Sequence, residues 1–217
     1  MSPARLHALI DGIFAIAVTL LVLDLPRLVG PQQFLHRLSA NWPSYAAYLI
    51  SFASIGVVWI EHHGMMSAVR FVNRRFLERT LLFLLFVSII PWPTALAAEH
   101  IRDGGTAARA VALLYAVTMM LMGLSMALSW RYLTRHEQLV YEPARPAIRA
   151  GARRALLGAL AYLPAIALAP LLPAGSLVLD SAIAVYFAVS KSEVPGLIHQ
   201  AALKDEQPTT STDALHR

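Results

Sequence analysis

Apolar residues fall into six long runs, at residues 6–25, 43–60, 76–98, 107–133, 155–172 and 176–190, and the ionisable residues collect between them. Most runs approach the ~20 residues that cross ~30 Å of hydrocarbon as a helix. A backbone in lipid must satisfy its own hydrogen bonds, so each run is predicted to be an α-helix. The expected fold is an all-α membrane protein with six transmembrane helices per chain. The sixth run is short and is interrupted by Asp180. Of 217 residues, 57% are apolar and only 14% charged, too little charge to coat a soluble domain of this size. The chain has no cysteine, which excludes disulfides and thiolate metal sites. A net charge of +5 suits a nucleic-acid partner in principle, but here the basic residues lie in loops, where membrane topology accounts for them. No nucleic-acid partner is expected.

Orientation follows from those basic residues. With the N-terminus inside, only Arg27, Arg37, Arg102 and Arg109 fall outside, leaving fourteen of the eighteen Lys and Arg on the inner side. The bias predicts N-in, C-in topology. Asp11 precedes the first apolar core, and Asp24-Leu25-Pro26-Arg27 follows it without a small-x-small cleavage site, so the segment reads as a retained helix and not a signal peptide. Residues 1–192 form the predicted six-helix unit. Residues 193–217 are polar and predicted to be a disordered cytoplasmic tail.

The first helix carries the functional signal. Burying the Asp11 carboxylate unpaired costs on the order of several kcal/mol, so it marks a functional site and calls for a partner. Successive helical residues turn by ~100°, so Ile16, Leu20 and Leu23 stack on one stripe, Thr19 lies beside it, and Asp11 projects roughly opposite. The stripe either faces a central axis or packs as any apolar surface does. On the second helix, Trp59, His62 and His63 share a face at i, i+3 and i+4. They match Asp11 in depth. A network of Asp11, Arg5 and His62, with Trp59 donating its indole N–H, is one reading. Interfacial histidines and an aromatic-belt tryptophan are the other. Asp24, at the outer end, either concentrates cations or is simply solvated.

These residues resemble a family. Arg5-x-x-x-Leu9-Ile10-Asp11 looks like the R-x-x-x-F-S-D signature of the transmembrane protein 175 family, the endolysosomal potassium channels and their bacterial homologues. The following GIFAIAVTLLVLDL is similar to that family's first helix. Residues 45–63 (YAAYLISFASIGVVWIEHH) are similar to its second helix, and residues 81–96 (LLFLLFVSIIPWPTAL) to its third. Bacterial members have six helices per chain and are homotetramers. The resemblance implies a channel for K⁺ and other monovalent cations in a bacterial plasma membrane, with no enzyme activity and no cofactor. It implies a pore lined by the first helix at Ile16, Thr19, Leu20 and Leu23 in place of a TVGYG loop, and none is present in the sequence. Leu9 and Ile10 depart from the family's Phe and Ser, and Thr80 stands where the third helix often has Asn. An apolar ring of this kind selects moderately, because K⁺ releases its water more easily than Na⁺ and Thr19 hydroxyls replace part of it.

Two rivals rest on other residues. A proton-coupled transporter would use Asp11, Asp180 and His62 as relay groups, although no broken, repeated halves are visible. A metalloenzyme would use Glu61-His62-His63, but adjacent helical residues point ~100° apart.

Overall fold

The computed structural model describes residues 3–27, 34–102 and 104–189, with the side chain of residue 188 excepted. The predicted tail at 193–217 and the end of the sixth run at Ser190 lie outside the described residues. Helices account for nearly everything described. They are α1 (Pro3–Leu23), α2 (Phe34–Ala40), α3 (Trp42–Ser67), α4 (Arg74–Ile89), α5 (Pro91–His100), α6 (Gly105–Arg135), α7 (Arg145–Leu160), α8 (Leu163–Leu168) and α9 (Pro173–Val189).

Among the described residues, five spans are long and apolar enough to cross a bilayer, and the shorter apolar stretch Pro173–Phe187 supplies a sixth. Two crossings are each made of two helices. α4 and α5 form one span from Arg74 to His100, interrupted at Pro91, and α7 and α8 form another, interrupted before Pro164. Proline lacks the N–H that continues the helical ladder and its ring crowds the preceding turn.

The helix bounds differ from the apolar runs in instructive ways. α3 continues to Ser67 and α7 begins at Arg145, ten residues before the predicted fifth segment. Hydropathy marks the apolar part of a helix and not its ends, and the helix continues through more polar residues. α2 was not foreseen in the 26–42 loop. Gly104 and Gly105, both with φ of +67°, make the turn before α6 in a conformation that disfavours side chains.

α6 is the hub, packed against α4, α5, α7, α8 and α9. Its tightest neighbour is α7. A Cβ on Gly151 would lie 2.4 Å from the Trp130 ring, and one on Gly123 would lie 3.1 Å from Ala159. Small residues let backbones approach in this way, which is how helices associate in lipid. α1 lies to one side, against α3, α4 and α5. Where α3 turns into α4, a bridge among the described residues pairs Val69 with Val140. Arg70 N–H donates to the Leu139 carbonyl at 2.8 Å, and Tyr141 N–H donates to that of Ala68 at 3.1 Å. The α3–α4 and α6–α7 connections are thereby tied together.

Candidate functional site

α1 has two unlike faces. Leu6, Ile10, Phe14, Ala17 and Leu21 recur at i+3 and i+4 and are all buried against α3 and α4. On a different face, Ile16, Leu20 and Leu23 are 59%, 40% and 69% exposed, and Thr19 is exposed beside them, opposite the buried row. The stripe inferred from helical geometry is therefore the face this chain leaves uncovered. The Thr19 hydroxyl donates within its own helix, 2.9 Å from the carbonyls of both Ala15 and Ile16. Its oxygen retains the capacity to accept a hydrogen bond or contact a cation.

Asp11 is held across the α1–α3 contact. The Trp59 indole N–H donates to its Oδ1 at 2.9 Å. The antiparallel register places His7 against His63, ring centroids 6.1 Å apart, and His63 against Trp59 at 5.5 Å. His7 was missed in the sequence. Its signal is spacing, since His7 and Asp11 share a face at i, i+4, as do Trp59 and His63.

The rest of the expected network is not joined to Asp11. Arg5 is exposed and forms no ion pair among the described residues. Six positions along a helix amount to a turn and two-thirds, so Arg5 and Asp11 project from different faces. His62 is 1% exposed and points toward α4, where it stacks on Phe83 with centroids 4.8 Å apart and planes 1° from parallel. Phe14 lies 6.4 Å from His62 and 5.9 Å from Phe83, so the three rings form one cluster. Neither His62 ring nitrogen has a hydrogen-bond partner in the structure. His62 is thus a packed ring in the α1–α3–α4 core and not a ligand of Asp11.

The departures from the family signature are accommodated locally. Ile10 is buried on the core face of α1, and Leu9 is 39% exposed. Thr80 is fully buried, its hydroxyl donating to the Phe76 carbonyl at 3.0 Å, so the position is satisfied within α4.

The groups raised by the rival readings are elsewhere. Glu61 pairs with Arg154 of α7 at 3.4 Å, not with its histidine neighbours. Asp180, a relay group in the transporter reading, is 1% exposed in the middle of α9, with both carboxylate oxygens lacking a hydrogen-bond partner. A hydroxyl cluster that sequence reading missed joins three helices nearby. Ser51 bonds Thr94 at 2.8 Å and Tyr115 at 3.0 Å. Just past the C-terminal end of α1, Asp24 is exposed, and partial desolvation together with the negative charge of Glu99 raises its carboxyl above the ordinary aspartate value.

Comparison with known proteins accords with this geometry. Residues 5–91 match the family described as endosomal/lysosomal potassium channel TMEM175. A potassium channel of Streptomyces collinus is 40% identical over 195 residues, covering 88% of this chain and 94% of the relative. A potassium channel of Chamaesiphon minutus is 34% identical over 190 residues, covering 85% and 93%. The crystal structure of a lysosomal potassium-selective channel TMEM175 homolog from Chamaesiphon minutus superposes with a TM-score of 0.74 at 32% identity, covering 86% of this chain and 96% of that one. The α1 signature, the helical architecture and these relatives, matched over most of their length, place the chain in the TMEM175 family.

Proposed function

We propose that the chain is a potassium-permeable cation channel that works as a homotetramer in a bacterial plasma membrane, with α1 lining the pore. The observation that carries this reading is the exposed apolar stripe of α1, Ile16, Leu20 and Leu23, on a different face from its buried row. Four copies of that stripe around an axis make a narrow apolar constriction. An ion crosses such a constriction only by shedding water or by wetting it transiently. K⁺ loses water at a smaller penalty than Na⁺, and the hydroxyl oxygens of Thr19 replace part of the lost shell. Asp24, repeated four times at the outer mouth, raises the local cation concentration. The bond from Trp59 holds the inner part of α1 against α3 and sets the angle at which the stripe meets the axis.

Asp180 is the one observation that favours the transporter reading, since an unpartnered buried carboxylate suits a proton relay. Flux separates the two. Protein reconstituted in liposomes should pass K⁺ down its gradient without a proton gradient, and pass Na⁺ more slowly. Flux that requires an opposing proton gradient would sink the channel reading. Ile16→Asn should raise conductance and shift the bi-ionic reversal potential toward equal K⁺ and Na⁺ permeability. Val18→Asn, at a position packed toward the core, should disturb packing without that shift. An unchanged reversal potential and conductance in Ile16→Asn would remove α1 from the filter.

A further inference from the structure

We propose that the inner ends of α4 and α6 form a binding site for a phosphate-bearing anion, the chemistry that acidic phospholipid headgroups carry. Arg75 and Arg79 on α4, and Arg131 and Arg135 on α6, line a cavity of about 270 Å³. Each pair is spaced i, i+4, so each lies on one helical face, and the two faces converge.

Among the described residues, charge accounting at this end of the bundle leaves the four without a carboxylate, as it leaves Arg5, Arg70 and Arg153, and it is the four that share one cavity. Glu78 is bound by Arg74 at 2.9 Å, Glu61 by Arg154, and Glu142 by Arg145. Glu137 takes Arg145 and Arg149. None of the four cavity arginines forms an ion pair among the described residues. Four like charges around one concavity repel, and an anion between them reverses the sign of that energy. Arginine is suited to the task because its planar fork matches two phosphate oxygens at once.

The floor of the cavity is held in place. Arg79 sits 4.8 Å over the Tyr132 ring, and His136 stacks on that ring at 4.0 Å. The Asn73 side-chain amide donates to the Tyr132 hydroxyl at 2.9 Å, while its oxygen caps the first turn of α4 by accepting from Phe76 N–H. Arg75 stands in that first turn, where the unpaired N–H groups add positive potential. Leu128, 38% exposed, also lines the cavity one turn deeper along α6 and offers an apolar wall for an acyl chain. A basic cavity between membrane helices at the inner face is the arrangement that captures acidic headgroups.

The test uses full-length protein in a neutral detergent. Cardiolipin, phosphatidylglycerol, phosphatidylcholine, inorganic phosphate and pyrophosphate are titrated separately, with native mass spectrometry and thermal unfolding as readouts. Cardiolipin and phosphatidylglycerol should bind in discrete stoichiometry and raise the unfolding temperature, and phosphatidylcholine should not. Arg79→Gln with Arg131→Gln should weaken acidic-lipid binding on the order of tenfold or more. Arg153→Gln, an exposed arginine off the cavity, should leave it unchanged. Pyrophosphate that competes with the lipid, or binds as tightly alone, supports the site and identifies the headgroup chemistry or a free anion as sufficient. Should the double variant fail to fold, the single variants carry the test, each with a partial loss. Equal binding of phosphatidylcholine, or equal losses in Arg153→Gln and the cavity variants, would overturn the proposal.

Discussion

α1 and α6 are of nearly equal hydropathy, yet 28% of the most apolar window of α1 is buried within the chain against 56% for α6. Lipid is as apolar as either helix, so hydropathy brings both into the membrane and says nothing of what each faces. Side-chain size and hydroxyl content decide that. The buried positions of α6 include Ala108, Ala112, Ala116, Ser125, Ala127 and Ser129, small residues that let neighbours approach. α1 buries bulky side chains, Leu6, Ile10, Phe14 and Leu21, and turns a second set, Ile16, Leu20 and Leu23, away from its own bundle. α6 is built to be surrounded by this chain, and α1 is built to leave one face for something else.

Three substitutions put pressure on that contrast. Gly151→Ala places a methyl 2.4 Å from the Trp130 ring at the α6–α7 contact. The loss of stability should be the largest of the three, on the order of 1–3 kcal/mol, read from reversible unfolding in mixed micelles. An unperturbed variant would show that the hub is loosely packed. Trp59→Phe keeps the ring and removes the bond to Asp11. A smaller loss, about 1 kcal/mol, should follow, together with altered channel opening in planar bilayers. Normal stability and opening would reduce Trp59 to an interfacial anchor. Leu23→Ala trims a side chain that is 69% exposed. Within the chain it should cost less than ~0.5 kcal/mol, while ion flux or assembly changes. A penalty comparable to that of Gly151→Ala would mean that the outer face of α1 is packed like the hub, and the contrast would fail.

Much of this was legible in the sequence, and the limits have physical causes. Helix count followed from apolar length, and the exposed stripe of α1 from a 100° rotation per residue. The bond from Trp59 to Asp11 was foreseen from matched depth and complementary chemistry. His62 was misassigned because i, i+3 spacing gives nearness to Trp59 but not rotation toward α4. There, stacking on Phe83 competes with any hydrogen bond to Asp11. A short final apolar run could not show how far the middle of α9 is wrapped by α3 and α6, which is what buries Asp180. The cavity arginines were read only as a topology signal. Their separation from the neighbouring glutamates depends on which helices converge, and that information is not local.

The small bridge between Val69 and Val140 bears on the order in which the molecule comes into being. Its partners are separated by all of α4, α5 and α6, so it closes a long loop, and such contacts carry an entropic cost that short-range ones avoid. While a ribosome feeds the chain into the membrane, the first four membrane spans arrive before residue 141 exists to donate its N–H to the Ala68 carbonyl. The early helices are therefore inserted as a provisional set. The α3–α4 connection gains its backbone partners only after the hub has been synthesised.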